Sequence, residues 1–184
     1  MDLGKEYMEQ IAKGDIDAFD KIFILYNSSV KNFIYGLIKN DDDAQDLAQD
    51  IFYKLWINRK KLNDVKYFSA YLFQISKNVV FDYLREKTNL SNSCPLETIS
   101  SYYSDDSILE KTIEANDLEL LLNIYIDAMP PQQKKIFRMS RMEGFSNDEI
   151  SGKMNLSKRT VETHISNAIK GLRRFVSQIT AIFL

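Results

Sequence analysis

The side chains with the clearest chemical potential lie in a polar run near the C-terminus, between Ser157 and Gly171. Arginine and lysine can donate hydrogen bonds to guanine or to phosphate, and asparagine can pair with the edge of adenine. Such residues between regularly spaced apolar ones are typical of a helix that lies in the major groove of DNA. The residues predicted to face DNA are Lys158, Arg159, Thr160, Thr163, His164, Ser166, Asn167 and Lys170.

Residues that could support catalysis or bind a metal are few. His164 is the single histidine and Cys94 the single cysteine among 184 residues. A general base needs a nucleophile or a metal close by, and a thiolate cluster needs several cysteines. We therefore expect no enzymatic activity, no cofactor, no metal and no small-molecule substrate. We interpret His164 as a polar contact in a DNA groove.

The polar run is preceded by signals for a short helix and a turn. Ser146 and Glu149 have the spacing of a capping box, and Asn155 tolerates the left-handed conformation of a tight turn. Ser157 can cap a second helix. The pattern is that of a helix-turn-helix, with a purely structural helical hairpin as the alternative. Apolar residues recur along the second helix at Val161, Ile165, Ala168, Ile169 and Leu172.

Glu162 is an acidic residue on the side of this helix that is expected to meet DNA. Its carboxylate can accept a hydrogen bond from cytosine N4. Alternatively, it can pair with Lys158 or Arg159 and stay away from the bases. We favour the ion pair, which makes Glu162 a neighbour of the DNA contacts and not one of them.

Charge alternates along the chain, which the net charge of −2 conceals. Residues 1–56 carry −5, residues 57–90 carry +4, residues 91–124 carry −6 and residues 125–184 carry +5. Two basic blocks separated by acidic ones indicate two nucleic-acid contacts, with ordinary surface clustering of charge as the alternative. No apolar run approaches the roughly 18 residues of a membrane span, and the polar N-terminus is unlike a secretion signal. We expect a cytoplasmic protein.

Helical periodicity extends over most of the chain, and no convincing strand pattern is present. A basic loop is predicted at 58–64, and a segment rich in Ser and Asn at 89–106 is typical of a linker. Helical character resumes near Leu109, and Pro130-Pro131 is typical of a helix start. The predicted fold class is all-α, with two small helical domains at 1–88 and 109–184 and a flexible acidic linker at 89–108.

Four sequence blocks, in this order and with a linker of this length, resemble the extracytoplasmic-function (ECF) group of sigma factors, the promoter-specificity subunits of bacterial RNA polymerase. The resemblance implies a region-two domain, a linker and a region-four helix-turn-helix domain. Asn155 departs from a common glycine, and Glu162-Thr163 replaces an Arg-Ser pair of some relatives, so the base preference does not transfer. The blocks are GDIDAFDKIF (14–23), DDAQDLAQDIFYKLW (42–56), FSAYLFQISKNVVFDYLRE (68–86) and MPPQQKKIFRMSRMEGFSNDEISGKMNLSKRTVETHISNAIKGLRR (129–174).

The resemblance also implies protein partners. The helix over 42–56 is expected to dock on the clamp helices of core RNA polymerase through Asp46, Gln49, Asp50 and Trp56. The polymerase flap is a further expected contact, and the helix that begins at Lys158 is expected to bind the minus-thirty-five promoter element. The acidic linker is expected to follow the RNA exit path, and an anti-sigma factor is expected to restrain the protein.

The segment over 58–66 and the helix after it are implied to hold the melted minus-ten element. Asn78 corresponds to a polar residue of the family that contacts the unpaired non-template strand. Tyr67, Phe68, Tyr71 and Phe73 are a possible stacking surface for flipped bases, although we interpret Phe68 and Tyr71 as core. The cations expected to contact phosphates are Lys60, Lys61, Lys66, Lys77, Arg85 and Lys87.

A second hypothesis comes from the run FSNDEISGKMNLSKRTVETHIS (145–166), which also resembles the DNA-binding domain of LuxR-type response regulators. Such a regulator carries an α/β receiver domain in front of its DNA-binding domain. Residues 1–125 show no alternation of strands and helices, so we rank this hypothesis second. The two hypotheses differ in a simple observable, because a receiver domain requires strands.

Overall fold

The structure is a computed structural model that describes residues 5–89 and 115–183, with side chains for 5–87 and 117–183. The chain divides into two compact units, one of Met1–Ala115 with Gln178–Leu184 and one of Asn116–Ser177. The described residues contain helices and no strand, which confirms the all-α fold class. The predicted linker at 89–108 lies outside the described residues except for Asn89, as does the predicted helix start near Leu109.

The described part of the first unit begins with α1 Lys5–Ala12, α2 Ile16–Ile38, α3 Asp41–Ile57, a 3-10 helix Arg59–Asp64 and α4 Phe68–Asn89. Local capping starts two of these helices. The Asp15 carboxylate accepts a hydrogen bond from the Ala18 amide at 3.0 Å. Asn40 caps α3 by accepting from the amides of Asp42 and Asp43 at 3.1 and 3.2 Å, as residues of this type do at helix N-termini.

The basic segment after α3 is a 3-10 helix, where the sequence predicted a loop. Hydrogen bonds between residues three apart tighten it: the Lys61 amide donates to the Asn58 carbonyl at 2.9 Å, and the Val65 amide donates to the Leu62 carbonyl at 3.3 Å. Leu62 is only 1% exposed, so it anchors the segment in the core. The prediction of an irregular loop is therefore corrected to a packed helical turn.

Aromatic rings form the centre of the first unit. Phe33, Phe68 and Phe73 are fully buried, and the rings of Phe33 and Phe73 lie 6.4 Å apart. Phe183 completes this cluster, with its ring centroid 5.3 Å from Phe33 and 5.0 Å from Phe73 in edge-on arrangements. The C-terminal segment therefore belongs to the first unit, because its apolar end is buried among these rings. The predicted second domain extended to residue 184.

The second unit consists of α5 Ala115–Asp127 from its second residue, α6 Pro131–Arg141, α7 Asn147–Met154 and α8 Lys158–Phe183 as far as Ser177. Pro131 lies in the first turn of α6, which confirms the predicted helix start. Aliphatic side chains predominate in this core. One cluster contains Ile136, Met139, Ile150, Val161 and Ile165, and the other contains Ile126, Met129, Phe137 and Ala168.

Gly171 lies within α8 where α5 comes close. The Tyr125 ring of α5 stacks on Phe175 with centroids 4.7 Å apart, and this stacking holds the Tyr125 hydroxyl against Gly171. A Cβ at position 171 would lie only 2.6 Å from that hydroxyl oxygen. The missing side chain of Gly171 therefore admits Tyr125.

Candidate nucleic-acid interface

The turn between α7 and α8 has the predicted geometry. Glu149 accepts a hydrogen bond from the Ser146 amide at 2.8 Å, and the Ser146 hydroxyl accepts from the Glu149 amide at 3.3 Å, which completes the capping box. The hydrogen bonds from the Ser146 backbone and hydroxyl lower the pKa of the Glu149 carboxyl. Asn155 is left-handed, with φ of 53°, and the Ser157 hydroxyl accepts from the Thr160 amide at 3.1 Å. The predicted helix-turn-helix is confirmed.

The α8 helix separates a buried face from an exposed one. Val161 and Ala168 are fully buried and Ile165 is nearly so, because residues three and four apart share a helix face. The residues predicted to contact DNA lie on the remaining surface. Exposed among them are Lys158, Arg159, Thr163, Ser166, Asn167 and Lys170, and partly buried are Thr160 and His164.

Two charged residues near the start of α8 pair differently from the favoured interpretation. Lys158 Nζ lies 2.9 Å from the Asp148 carboxylate of α7, and this hydrogen bond raises the pKa of Lys158. Glu162 is exposed and makes no salt bridge within 5–87 and 117–183, although its charge attracts Lys158 weakly. The predicted ion pair of Glu162 is therefore wrong here, because Asp148 occupies Lys158.

A groove of about 490 Å³ lies beside α8 and is bordered by the end of α6 and the start of α7. Arg141, Lys170 and Arg173 bring three cations to it, and Glu162 and Ser166 also line it. Sequence reasoning missed Arg141 and Arg173. Arg173 continues the helical spacing of Ser166 and Lys170, which is a signal that could have found it. Arg141 belongs to another helix, and only the tertiary structure brings it here.

The exposed face of α3 combines acidic and apolar residues. Asp46 and Gln49 are exposed and Asp50 is partly buried, so these predicted residues share one accessible face. Tyr53 is 64% exposed and Ile57 is 56% exposed, and they follow Asp50 by three and seven residues on that face. Sequence reasoning did not single out Tyr53 and Ile57, because apolar residues in a helix are usually core.

Trp56 packs against its neighbours. Its ring centroid lies 5.0 Å from that of Phe19, and the Arg59 guanidinium lies 4.6 Å from the indole centroid. Arg59 also donates a hydrogen bond to the Trp56 carbonyl at 3.0 Å. Trp56 is partly buried, so it connects α2, α3 and the 3-10 helix, and only part of the indole is available to a partner.

The basic residues around the start of α4 differ in accessibility. Lys60, Lys61 and Lys66 are exposed, and the Lys66 ammonium lies 5.3 Å from the ring centroid of Tyr67. Tyr67 is 50% exposed. This group therefore offers cations next to an accessible aromatic ring. Further along α4, the predicted contacts Asn78 and Arg85 are partly buried, and Arg85 pairs with Asp82 at 3.4 Å.

Two predictions on α4 are corrected by burial. Lys77, expected to contact a phosphate, is only 6% exposed, and Phe73, considered for base stacking, is fully buried. Both lie on the face of α4 that packs into the core of the first unit. Phe68 and Tyr71 are buried as predicted, which leaves Tyr67 as the accessible ring of the four.

Lys87, also expected to contact a phosphate, is held by a small polar network. Its ammonium lies 2.8 Å from the Asp43 carboxylate, which also accepts a hydrogen bond from the Tyr83 hydroxyl. The hydrogen bonds from Lys87 and Tyr83 lower the pKa of Asp43. This network joins the C-terminal part of α4 to the first turn of α3.

Within the described ranges, 5–89 and 115–183, no helix combines the length and apolarity needed to cross a membrane. In the same ranges, no group of three His, Cys, Asp or Glu side chains is arranged to hold a metal ion.

Comparisons with known proteins match both units. The family model for sigma-70 region 2 matches residues 22–89 and that for sigma-70 region 4 matches residues 125–172. The chain is 24% identical over 177 residues to the ECF RNA polymerase sigma factor SigW of Bacillus subtilis, covering 92% of this chain and 95% of SigW. It is 25% identical over 179 residues to the ECF RNA polymerase sigma factor BldN of Streptomyces coelicolor, covering 93% of this chain and 65% of BldN.

Among solved structures, the chain is similar to CnrH, whose structure was determined in complex with the cytosolic domain of CnrY. The TM-score is 0.40 at 20% sequence identity, and the similarity covers 94% of this chain and 96% of CnrH.

Proposed function

This chain belongs to the extracytoplasmic-function group of the sigma-70 family, and we propose that it binds core RNA polymerase through α3 and directs it to promoters through α4 and α8. The observation that carries the proposal is the presence of two contrasting surfaces in one chain. The exposed face of α3 is acidic and apolar, whereas the exposed face of α8 is mainly basic and carries hydroxyls and the amide of Asn167. The first composition suits a protein partner and the second suits DNA.

The proposed polymerase-binding surface comprises Asp46, Gln49, Asp50, Tyr53 and Ile57 of α3. Tyr53 and Ile57 supply apolar area that a partner can bury, and aromatic residues are frequent among the side chains that contribute most to binding. The acidic residues favour a basic partner surface and speed its encounter. Trp56 contributes by fixing the end of α3 against α2, with part of its indole available for contact.

The proposed contact with the minus-thirty-five element is made by α8. Arg159, Asn167 and Lys170 are exposed and can donate to base edges or phosphates. The Thr163 hydroxyl donates to the Arg159 carbonyl at 2.8 Å, so its oxygen can still accept and its methyl group can contact thymine. Lys158, Thr160, His164 and Ser166 complete the predicted set.

The proposed contact with the melted minus-ten element involves the 3-10 helix and α4. Tyr67 can stack on an unpaired base, while Lys60, Lys61 and Lys66 are exposed and can contact a phosphate backbone. Asn78 and Arg85 are retained as proposed contacts on the strength of the family resemblance. Lys77 is left out because a buried ammonium does not meet a phosphate in this conformation.

Further assignments rest on the family resemblance alone. They are a contact with the polymerase flap, passage of the linker at 89–108 along the RNA exit path, and restraint by an anti-sigma factor. We also assign the protein to the cytoplasm, where RNA polymerase works, and assign it no catalytic activity of its own.

The test is transcription from a genomic promoter library with core RNA polymerase from a related bacterium, with and without this protein. We expect the protein to co-elute with core polymerase and to add transcripts from a defined set of promoters. The free chain should bind duplex DNA weakly. Tight, specific duplex binding without polymerase, together with failure to co-elute with core enzyme, would contradict the proposal and favour a LuxR-type regulator.

A further inference from the structure

The side chains that line the groove beside α8 carry a surplus of positive charge. Arg141, Lys170 and Arg173 line it, and Glu162 is the acidic residue among the lining side chains, which leaves a surplus of positive charge. All four residues lie on the exposed surface of the second unit. A solvent-filled groove with a surplus of cations attracts an anion.

The pairing of neighbouring cations shows that these groove residues are left available. On α6, Arg138 and Lys134 both reach the Asp127 carboxylate, at 2.8 and 3.5 Å. Arg141 is the last residue of the same helix, yet it makes no salt bridge in the described part of the chain, and neither do Lys170 and Arg173. Lys134 and Arg138 are thus neutralised away from the groove, whereas the three groove cations are not.

We infer that the groove holds the sugar-phosphate backbone of the DNA whose bases α8 contacts, with Arg141 and Arg173 binding phosphates. This inference rests on the proposed function. In a helix-turn-helix the second helix enters the major groove while the first crosses the backbone. The groove lies between the corresponding helices, α8 and the start of α7, where Asn147 lines it.

An acidic polypeptide is the other anion that such a groove could bind. The position of the groove favours DNA, because Ser166 and Lys170 belong both to its lining and to the exposed face of α8. A strand whose bases meet that face has its phosphates at the edge of the major groove. Phosphate contacts of this kind set the register of the protein on the duplex and carry no base preference.

The role of Glu162 follows from the same geometry. Its carboxylate lies among the three cations and repels a phosphate that enters. Glu162→Gln should therefore strengthen binding to DNA of any sequence, which is the opposite of the effect expected from removing Arg141 or Arg173. Substitutions in one groove that change DNA affinity in opposite directions distinguish phosphate binding from a general loss of fold.

The experiment measures binding of the full chain to a short duplex of mixed sequence, by fluorescence anisotropy between about 50 and 200 mM salt. Each phosphate contact contributes a slope of roughly 0.9 in a plot of log affinity against log salt. For Arg141→Ala with Arg173→Ala we expect the slope to fall by about 1.8, so that the affinity difference from wild type narrows roughly tenfold over that range. Lysine at both positions should restore most of the slope, because phosphate binding needs the charge.

The matched control is Lys135→Ala with Arg174→Ala. These residues are exposed, lie on α6 and α8 like the groove arginines, and are absent from the groove lining. Both double variants lose the same charge, so a similar slope for the two would overturn the inference. So would a slope loss that depends on the duplex sequence, or an unchanged slope combined with lost polymerase binding, which would assign the groove to a protein.

Failure of the wild-type chain to bind the duplex even at the lowest salt would also overturn the inference, since the groove would then hold no phosphate. The proposed function is judged separately, by promoter-specific transcription with core polymerase. A chain that directs transcription while its groove variants keep the wild-type salt slope would retain the proposed function and lose only this inference.

Discussion

The two units differ in what their cations do. In the first unit, Lys31, Lys54 and Lys87 pair with Asp41, Asp50 and Asp43 at 3.1, 3.0 and 2.8 Å. In the second unit, Lys134, Arg138 and Lys158 are paired as well, but the three cations that line the groove make no salt bridge among the described residues. Exposed ion pairs stabilise a protein by about 1 kcal/mol or less, so this difference bears more on which partners each unit attracts than on stability.

Three cations of the first unit resemble the groove cations, because they are also left without a salt bridge among the described residues. Lys60, Lys61 and Lys66 are exposed and lie beside Tyr67, and these are the residues proposed to meet the melted DNA strand. Several cations are therefore left available where a nucleic acid is the proposed partner, whereas Lys158 and Arg85, which are also proposed contacts, are paired with Asp148 and Asp82. The cores differ as well, because aromatic rings predominate in the first unit and aliphatic side chains in the second.

The contrast between the cores leads to the largest expected effect. Phe33→Ala removes a fully buried ring that contacts Phe73 and Phe183, and such truncations cost about 3–5 kcal/mol of the free energy of unfolding. Trp56 is the single tryptophan and lies in the first unit, so its fluorescence during denaturation reports on that unit. Tyr35→Ala, on the exposed side of the same helix, should change stability by less than about 0.5 kcal/mol. Equal losses of stability from the two substitutions would contradict the conclusion that the aromatic cluster is the centre of this unit.

The acidic and apolar face of α3 is tested by Tyr53→Ala with Ile57→Ala. Loss of central apolar contacts typically weakens binding by about 2 kcal/mol or more, roughly 30-fold, and we expect that loss in the affinity for core polymerase. Ile24→Ala is the control, since Ile24 is 79% exposed on α2 and lies outside this face. Both variants should keep the far-UV circular dichroism of the wild type. An equal loss of affinity in the control would mean that general surface apolarity, and not the α3 face, binds the polymerase.

The basic face of α8 is tested by Arg159→Ala with Thr163→Ala. A lost base contact costs about 1–3 kcal/mol, a drop of roughly fivefold to more than a hundredfold, and we expect it in transcription from promoters that depend on the upstream element. Affinity for core polymerase should stay at the wild-type value, because α3 is unchanged. If the α3 and α8 variants each lose both activities while remaining folded, the division of labour between the two units is wrong.

The smallest expected effect concerns the capping box and pH. The pKa of Glu149 is below its ordinary value of 4.5 because the folded protein stabilises its charged form. The stability from this group is therefore fully present above the pKa of the unfolded chain and is lost as pH falls through the lower folded pKa. We expect the thermal stability of wild type and Glu149→Gln, followed by circular dichroism, to converge as the pH is lowered through that window. Ser146→Ala removes the hydroxyl and keeps the backbone amide that donates to Glu149, so it should reduce the pH-dependent difference without abolishing it. A pH dependence unchanged by Ser146→Ala and by Glu149→Gln would assign the effect to another group.

Local signals predicted the helix-turn-helix well. Ser146, Asn155 and Ser157 act on backbone groups within a few residues of themselves, so the sequence contains the whole interaction. The faces of α8 follow from the 3.6-residue period for the same reason. The fold class and the α3 boundaries near Asn40 were accessible by the same kind of argument.

The predictions that the structure corrects concern residues whose burial or neighbours depend on tertiary packing. Lys77 and Phe73 are in an amphipathic helix whose pattern leaves open how wide the buried face becomes, and the packed core buries both. Arg141 and Arg173 are 32 positions apart and meet only through the fold of α6 against α8. The assignment of Phe183 to the first unit depends on rings about 110 and 150 positions earlier in the chain. None of these pairings leaves a local signal.

Gly171 has a consequence for how the helicity of α8 relates to the stability of the protein. Glycine within a helix costs about 1 kcal/mol relative to alanine, so alanine at position 171 would make the isolated α8 segment more helical. In the folded chain the same added carbon would displace the Tyr125 hydroxyl and disturb the stacking of Tyr125 on Phe175. One methyl group thus has opposite effects on the peptide and on the protein. At this position the sequence favours tertiary fit over intrinsic helix propensity. A redesign that replaced Gly171 for helix propensity alone would therefore weaken the packing of the domain.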